Sequence, residues 1–294
     1  MKSNTLLAGL SLALGMSLAS SALAQNYSGL KPTLTLAPAD AVSSGGGGAA
    51  DDAKTQAAEL AKKLQNPVAA LISVPIQNNW DFGYGEANAM RYTVNIQPVI
   101  PVNLNEDWNL ISRTILPVIY AESPTVGGSS KTGLGDVLQS LFFSPKAPTS
   151  GGWIWGAGPV ALLPTGTDGL SAHEWAVGPT ALLLKQDSGF TYGMLANHLW
   201  SVDGGQDADV NATYMQPFAS FTTKKFTTFG LATESTYDWS NQQWTVPLVG
   251  SVSQLVKLGG KPVQFSLGAK YYAEKPDGGP DWGLRFTVTF LFPK

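Results

Sequence analysis

His173 and His198 are the side chains of this sequence that could act as a base near neutral pH, and a serine is the nucleophile they would activate. With no cysteine in the chain, thiolate chemistry and disulfides are both excluded. No G-x-S-x-G turn presents a serine, and no serine stands apart from the others. On a strand, Asn197 would point away from the face of His198. That face carries Met194, Ala196 and Trp200, the company of an interface residue rather than a catalytic base. Two isolated histidines without carboxylates at ligand spacing make no zinc or iron site. The expectation is a protein that is not an enzyme and needs no metal or other cofactor.

The other chemistry sits in charges placed at alternate positions inside apolar runs. Arg91, Arg113, Asp136, Glu174, Glu234, Lys270 and Arg285 each fall on the polar face of such a run. Alternation means a strand, with successive side chains on opposite faces. If the apolar face meets lipid, an Arg or Lys there would cost about 2–4 kcal/mol near the midplane, so these seven residues belong to the interior. They would then line a lumen, either as a network of paired charges that stiffens a narrow barrel or as the wall of a slim pore.

The last run, Trp282 to Phe292, shows the pattern best: Leu284, Phe286, Val288, Phe290 and Phe292 alternate with Arg285, Thr287 and Thr289. It reads as the closing strand of a membrane barrel. At the other end, Lys2, the apolar stretch Leu6 to Leu18 and Ala22-Leu23-Ala24 have the layout of a secretory signal peptide, residues 1–24, cleaved after Ala24. Beyond it no run of about 18 apolar residues could form a helical span. A membrane protein of this sequence must therefore be a closed barrel, which satisfies its backbone hydrogen bonds internally. The charged fraction, 13%, is about half that of an ordinary soluble domain. A net charge of −3 offers no basic surface for nucleic acid.

Residues 25–65 form a low-complexity linker with Gly45 to Gly48 at its centre, followed by a short helix after Asp51-Asp52 that stops at Asn66-Pro67. The helix is weakly amphipathic, and the sequence leaves open a periplasmic position, a place on the rim or one inside the lumen. Residues 66–294 repeat one design. Strands are predicted near 68–77, 89–100, 108–120, 134–144, 152–163, 174–184, 190–201, 210–221, 226–237, 243–256, 263–274 and 282–292. The fold class is thus all-β, a transmembrane antiparallel β-barrel of about 12 strands.

Connections alternate in kind, tight on one side and mostly longer on the other, with 238–242 a short exception. Outer-membrane barrels sort periplasmic turns from outer loops in this way, and a sandwich has no reason to. The longer connections carry Asp81, Glu86, Glu122, Asp168, Asp203, Asp207, Asp209, Asp238, Asp277 and Asp281 against Lys131 and Lys275. An acidic mouth built on Asp203, Asp207, Asp209, Asp277 and Asp281 would favour cations, more strongly at low salt. Trp80, Trp108, Trp153, Trp155, Trp175, Trp200, Trp244 and Trp282 fall near strand ends, where aromatic girdles form.

Asn66 to Asp81, Gln97 to Pro101, Asp107 to Pro117, Thr132-Gly-Leu-Gly-Asp136, Phe142 to Lys146, Glu234 to Trp239 and Tyr272 to Trp282 together carry a resemblance. Over nearly all of residues 54–294 the chain resembles a family of bacterial outer-membrane barrels, putative transporters related to the phenol-degradation MetA-pathway proteins and often mislabelled "neuromedin U". The resemblance implies an outer-membrane location and uptake of small organic molecules, and it brings no catalytic or binding residues. The expected partners are outer-membrane lipid, a small-molecule solute and the barrel assembly machinery; nothing indicates an oligomeric state. The expected function is passive diffusion through a polar lumen, with a non-conducting structural or adhesive barrel, or a lipid-modifying enzyme, as the alternatives.

Overall fold

The computed structural model describes residues 47–202 and 210–293. The signal-peptide and linker readings, and Asp203, Asp207 and Asp209, lie outside the described residues.

One helix, α1 (Gly47–Leu64), precedes fifteen strand segments: β1 (Ile72–Tyr84), β2 (Ala89–Ile96), β3 (Val99–Asn103), β4 (Trp108–Ala121), β5 (Lys131–Leu134), β6 (Val137–Pro145), β7 (Trp153–Leu163), β8 (Ala176–Asp187), β9 (Phe190–Ser201), β10 (Asn211–Thr222), β11 (Thr227–Thr233), β12 (Ser235–Asp238), β13 (Gln243–Leu258), β14 (Lys261–Glu274) and β15 (Trp282–Phe292). Every pairing is between antiparallel neighbours, and β15 returns to β1 with Ile72 opposite Phe292 and Phe82 opposite Trp282. The sheet is a closed barrel of 12 strands, because three strands are each interrupted once. The interruptions fall at Gln97-Pro98, Gly135-Asp136 and Glu234. Proline lacks the ladder N–H, and each break lies at a proline or across from one: Gly135 donates to Pro117 and Glu234 to Pro247.

The turns at 188–189 and 259–260 have both central residues at positive φ, namely Ser188, Gly189, Gly259 and Gly260, the geometry of a two-residue hairpin that matches strand twist. These tight turns share one end of the barrel with the start of β1 and the end of β15. By the rule for bacterial barrels, that end is periplasmic.

Alternation places the faces as the sequence pattern requires. Outside, Leu183, Met194, Phe229, Leu231, Leu248, Val252, Leu267, Leu284 and Phe290 are exposed. Inside, Asn79, Thr93, Asn95, Gln97, Ser140 and Lys270 are buried. A continuous exposed apolar surface of this kind is a surface made for lipid. No helix among the described residues is long and apolar enough to cross a membrane.

The first strand corrects its expected bounds. It begins at Ile72 and runs through residues expected to form a loop, to Tyr84. Gln77-Asn78-Asn79 reads as a loop because three polar residues interrupt the alternation, yet Asn78 stays on the outer face by donating to the Phe286 carbonyl (3.1 Å) and accepting from the Tyr92 hydroxyl (2.7 Å). Past it the alternation resumes, Trp80 and Phe82 outward and Asp81 inward. A bulge follows at Gly83 (φ 94°), between Phe82 and Tyr84.

Residues 68–71, expected to start that strand, instead enter the periplasmic end of the barrel together with the helix stop Asn66-Pro67. Asn66 accepts from the Val68 and Ala69 amides, turning the chain. Val68 packs with Ile111, Phe142, Leu182, Leu184 and Leu195, while Ala61 of α1 joins Ala69 and Leu71 against the barrel residues Leu255 and Leu291. Two polar contacts fix the C-terminal end of α1: Gln186 donates to the Lys62 carbonyl (2.9 Å) and Ser220 to Gln65 (3.1 Å). Of the three open positions for the helix, its C-terminal turns occupy the periplasmic end of the barrel interior.

Candidate functional site

The inward side chains divide the lumen into two unlike halves. From β4 to β9 they are mostly apolar. Ile115, Leu138, Val160, Leu162, Ala176 and Leu199 form one cluster, and Ile111, Phe142, Leu182, Leu184 and Leu195 another. Ile111 and Ile115, which blur the alternation of their strand, are inward residues of this packed half.

The opposite half, from β10 round to β1, is ionic. Arg285 on β15 donates from both terminal nitrogens to the two carboxylate oxygens of Glu234 (2.7 Å each) and from Nε to Asn79 Oδ1 (2.7 Å). This planar fork-to-fork pairing is among the strongest polar contacts available to a protein. Asn79 in turn donates to the Thr93 carbonyl (3.3 Å). Lys270 on β14 is ion-paired with Asp81 on β1, both side chains nearly inaccessible, and the Tyr272 hydroxyl donates to the same carboxylate (2.9 Å). Glu234 occupies the break between β11 and β12, beside the bulge at Val246/Pro247, where it aims into the lumen instead of continuing the ladder.

Between the halves lies a cavity of about 160 Å³ that reaches Tyr84, Tyr272 and Pro280 toward the outer end. A second, of about 210 Å³, lies toward the periplasm and has Lys63, Leu64, Asn66 and Pro67 in its lining. Both are lined by Gln97, Arg113, Leu195 and Gln216. These four residues form a neck between two chambers in line.

Of the seven residues expected to line the lumen, Arg113, Glu234, Lys270 and Arg285 border the two chambers. Three do not. Asp136, in the break of its strand, accepts from the backbone amides of Gly166 (2.9 Å), Ala172 (2.9 Å) and His173 (3.1 Å), so its carboxylate pins the outer connection 164–175. Glu174 belongs to that same connection, ahead of β8, and is buried there. Arg91 faces inward behind Tyr84, which lines the upper chamber, but itself lines neither chamber. Alternation reports a face and not a height along the barrel, which is why all seven looked equivalent. Conversely Asp81, expected in the acidic outer loops, is a lumen residue. Its signal was available in Trp80 and Phe82, which continue the outward series of β1 past the polar triplet.

Asp277 is exposed on the outer connection 275–281, and Asp281 is paired with Lys275 (2.5 Å). His198 is on the outer wall, with Nδ1 2.7 Å from the Thr213 hydroxyl and its ring on Trp200 at 4.0 Å. His173 lies in an outer connection, 3.1 Å from Asp168. Among the described residues no three His, Asp or Glu side chains gather as a metal site. Aromatic side chains ring both ends of the wall: Phe82 stacks on Trp282 and Tyr237 meets Trp239 edge-on and Trp244 at a tilt at one, Trp108 meets Trp155 and Phe190 meets Phe221 at the other.

Closed sheet, apolar exterior, aromatic rings and buried interior charges define a β-barrel of the outer-membrane type. The fold is that of the COG4313 outer membrane channel from Pseudomonas putida F1, with a TM-score of 0.60 at 13% identity over 76% of this chain and 96% of that one. More distant are the NanC porin (TM-score 0.48, 10% identity, 74% of this chain and 98% of that one) and OccK7 (OpdD) of Pseudomonas aeruginosa (TM-score 0.35, 9% identity, 76% and 99%). No family model and no curated relative matches the sequence.

Proposed function

We propose that this protein is an outer-membrane channel through which small organic solutes diffuse passively. The observation that carries the reading is the pair of chambers in line, separated by only four side chains and reaching from Tyr84 at one end to the turns of α1 at the other. A barrel serving only as a scaffold has no use for two aligned open spaces. Selectivity in such a pore follows from its width and the charges on its wall. The C-terminal turns of α1 act as a plug beneath the lower chamber. The resemblance to phenol-degradation proteins lies in the sequence motifs alone and extends the reading to small organic molecules.

Single-channel recording of the refolded mature protein in planar bilayers tests this. Small, discrete conductance steps are expected, and deletion of residues 25–65 should raise them roughly twofold by widening the periplasmic exit. Unchanged steps in a folded deletion variant remove the plug. Silence in both proteins turns the case to the structural barrel.

A further inference from the structure

We infer that Arg113 is the recognition point of a binding site in the upper chamber for a small monocarboxylate with a flat apolar body. The inference deepens the channel reading, which gives the site its place in transport; binding itself needs only the cavity.

The charged residues lining the upper chamber are Asp81, Arg113, Glu234, Lys270 and Arg285. Three cations face two carboxylates, leaving one positive charge in excess. The excess can be assigned to a residue. Lys270 has Asp81, and Arg285 has both oxygens of Glu234 as well as Asn79. Among the described residues Arg113 has no carboxylate within ion-pairing distance, and its side chain donates only to the neutral Gln97 amide oxygen (3.0 Å). A guanidinium carries five N–H donors in a planar fork, so most of its capacity stays open. Glu234 acts on Arg113 only from beyond contact, and a cation drawn out of bulk water with no carboxylate against it is at an energetic disadvantage that an anionic ligand relieves. The fork fits a carboxylate with two parallel hydrogen bonds.

The walls around Arg113 determine what the carboxylate is attached to. Ile115 is two residues along the same inward face, Leu138 is its register partner on β6, and Leu199 packs in the same cluster. All three line the chamber. Its volume of about 160 Å³ is close to that of an engineered protein cavity of about 150 Å³ that accepts benzene. A one-ring acid therefore places its carboxylate on Arg113 and its ring along Ile115, Leu138 and Leu199. A second acidic group would meet Glu234 and Asp81, so dicarboxylates are disfavoured.

Benzoate, with benzamide as its neutral isostere, tests the site by calorimetry on the refolded mature protein in micelles, after subtraction of empty micelles. Benzoate should bind at least roughly tenfold more tightly than benzamide, the scale of one charge-assisted contact. Arg113→Gln, which keeps a partner for Gln97, should abolish that preference and leave benzamide unchanged. Should that variant fail to fold, Ala212→Leu fills the chamber while leaving Arg113 intact, and it should weaken both ligands together. Equal binding of the two ligands by the native protein, or an undiminished preference in Arg113→Gln, overturns the proposal. The two readings separate cleanly: a protein that binds benzoate but passes no current keeps the site and loses the channel, and one that conducts without preferring benzoate keeps the channel and loses the site.

Discussion

Between β4 and β9 the barrel fills its interior with Ile111, Phe142, Val160 and Leu184; between β10 and β1 it uses Glu234, Lys270, Arg285, Asn79 and Asp81. Apolar side chains collapse on one another and leave no route. Ion pairs hold long side chains at fixed positions against the wall, and fixed groups can stand beside open water. The space in this lumen is therefore off-centre, bordered by packing on one side and paired charge on the other. The comparison also separates two kinds of stability. Packing contributes in proportion to the area removed from water, whereas a buried ion pair returns little net free energy and is costly only when halved.

The largest effect is expected in the packed half. Phe142→Ala removes a ring that is 1% exposed, and such truncations cost about 3–5 kcal/mol. Urea midpoints for the barrel in lipid vesicles, at unchanged slope, measure the loss. A shift worth less than about 1 kcal/mol would mean the half is loosely packed and the division of the lumen is wrong.

In the ionic half, Arg285→Met should cost about 3 kcal/mol because Glu234 is left without its partner. The double variant Glu234→Gln, Arg285→Met should recover at least half of that, since no charge is then stranded. Phe142→Ala has no such rescue by a second neutral change. If the double variant is as unstable as the single one, the pair contributes real net stability and the two halves are more alike than their chemistry suggests.

How much of this was legible in sequence follows the same division. Strand positions were readable because lipid outside and polarity inside force a period of two, and eleven of the strands lie close to their expected places. The upper part of β1 was not, because Asn78 puts a polar residue on the outer face and satisfies it with Tyr92 and a backbone carbonyl. Inward facing was readable for Arg113, Glu234, Lys270 and Arg285, but their partners were not. Tyr272 lies 191 residues from Asp81, and Arg285 lies 206 from Asn79. Only barrel closure brings those strands together, and no local pattern encodes which inward residues share a height. Asp136 illustrates the limit: its type and face suit a pore wall, and only the three amides of a folded-back loop reveal it as an anchor.

The smallest effect concerns the outer mouth, where charge acts at a distance on the neck. Its acidity is less than the sequence count suggests, since Asp81 is inside and paired with Lys270. Asp277 and Glu86 remain exposed, and Asp203, Asp207 and Asp209 add to them in sequence. The mouth and the neck therefore carry opposite signs, and salt decides between them. At 1 M the Debye length is about 3 Å and the mouth is screened, so the excess charge at Arg113 should give a slight anion preference. At 0.1 M the length is about 10 Å, and the mouth should enrich cations and draw the preference back toward them. Reversal potentials in KCl gradients at the two ionic strengths measure this drift. Asp203→Asn, Asp207→Asn and Asp209→Asn made together should reduce the drift and leave the high-salt value unchanged. A drift of the same size in the triple variant removes that loop from control of selectivity, and a high-salt preference for cations places the deciding charge elsewhere than at Arg113.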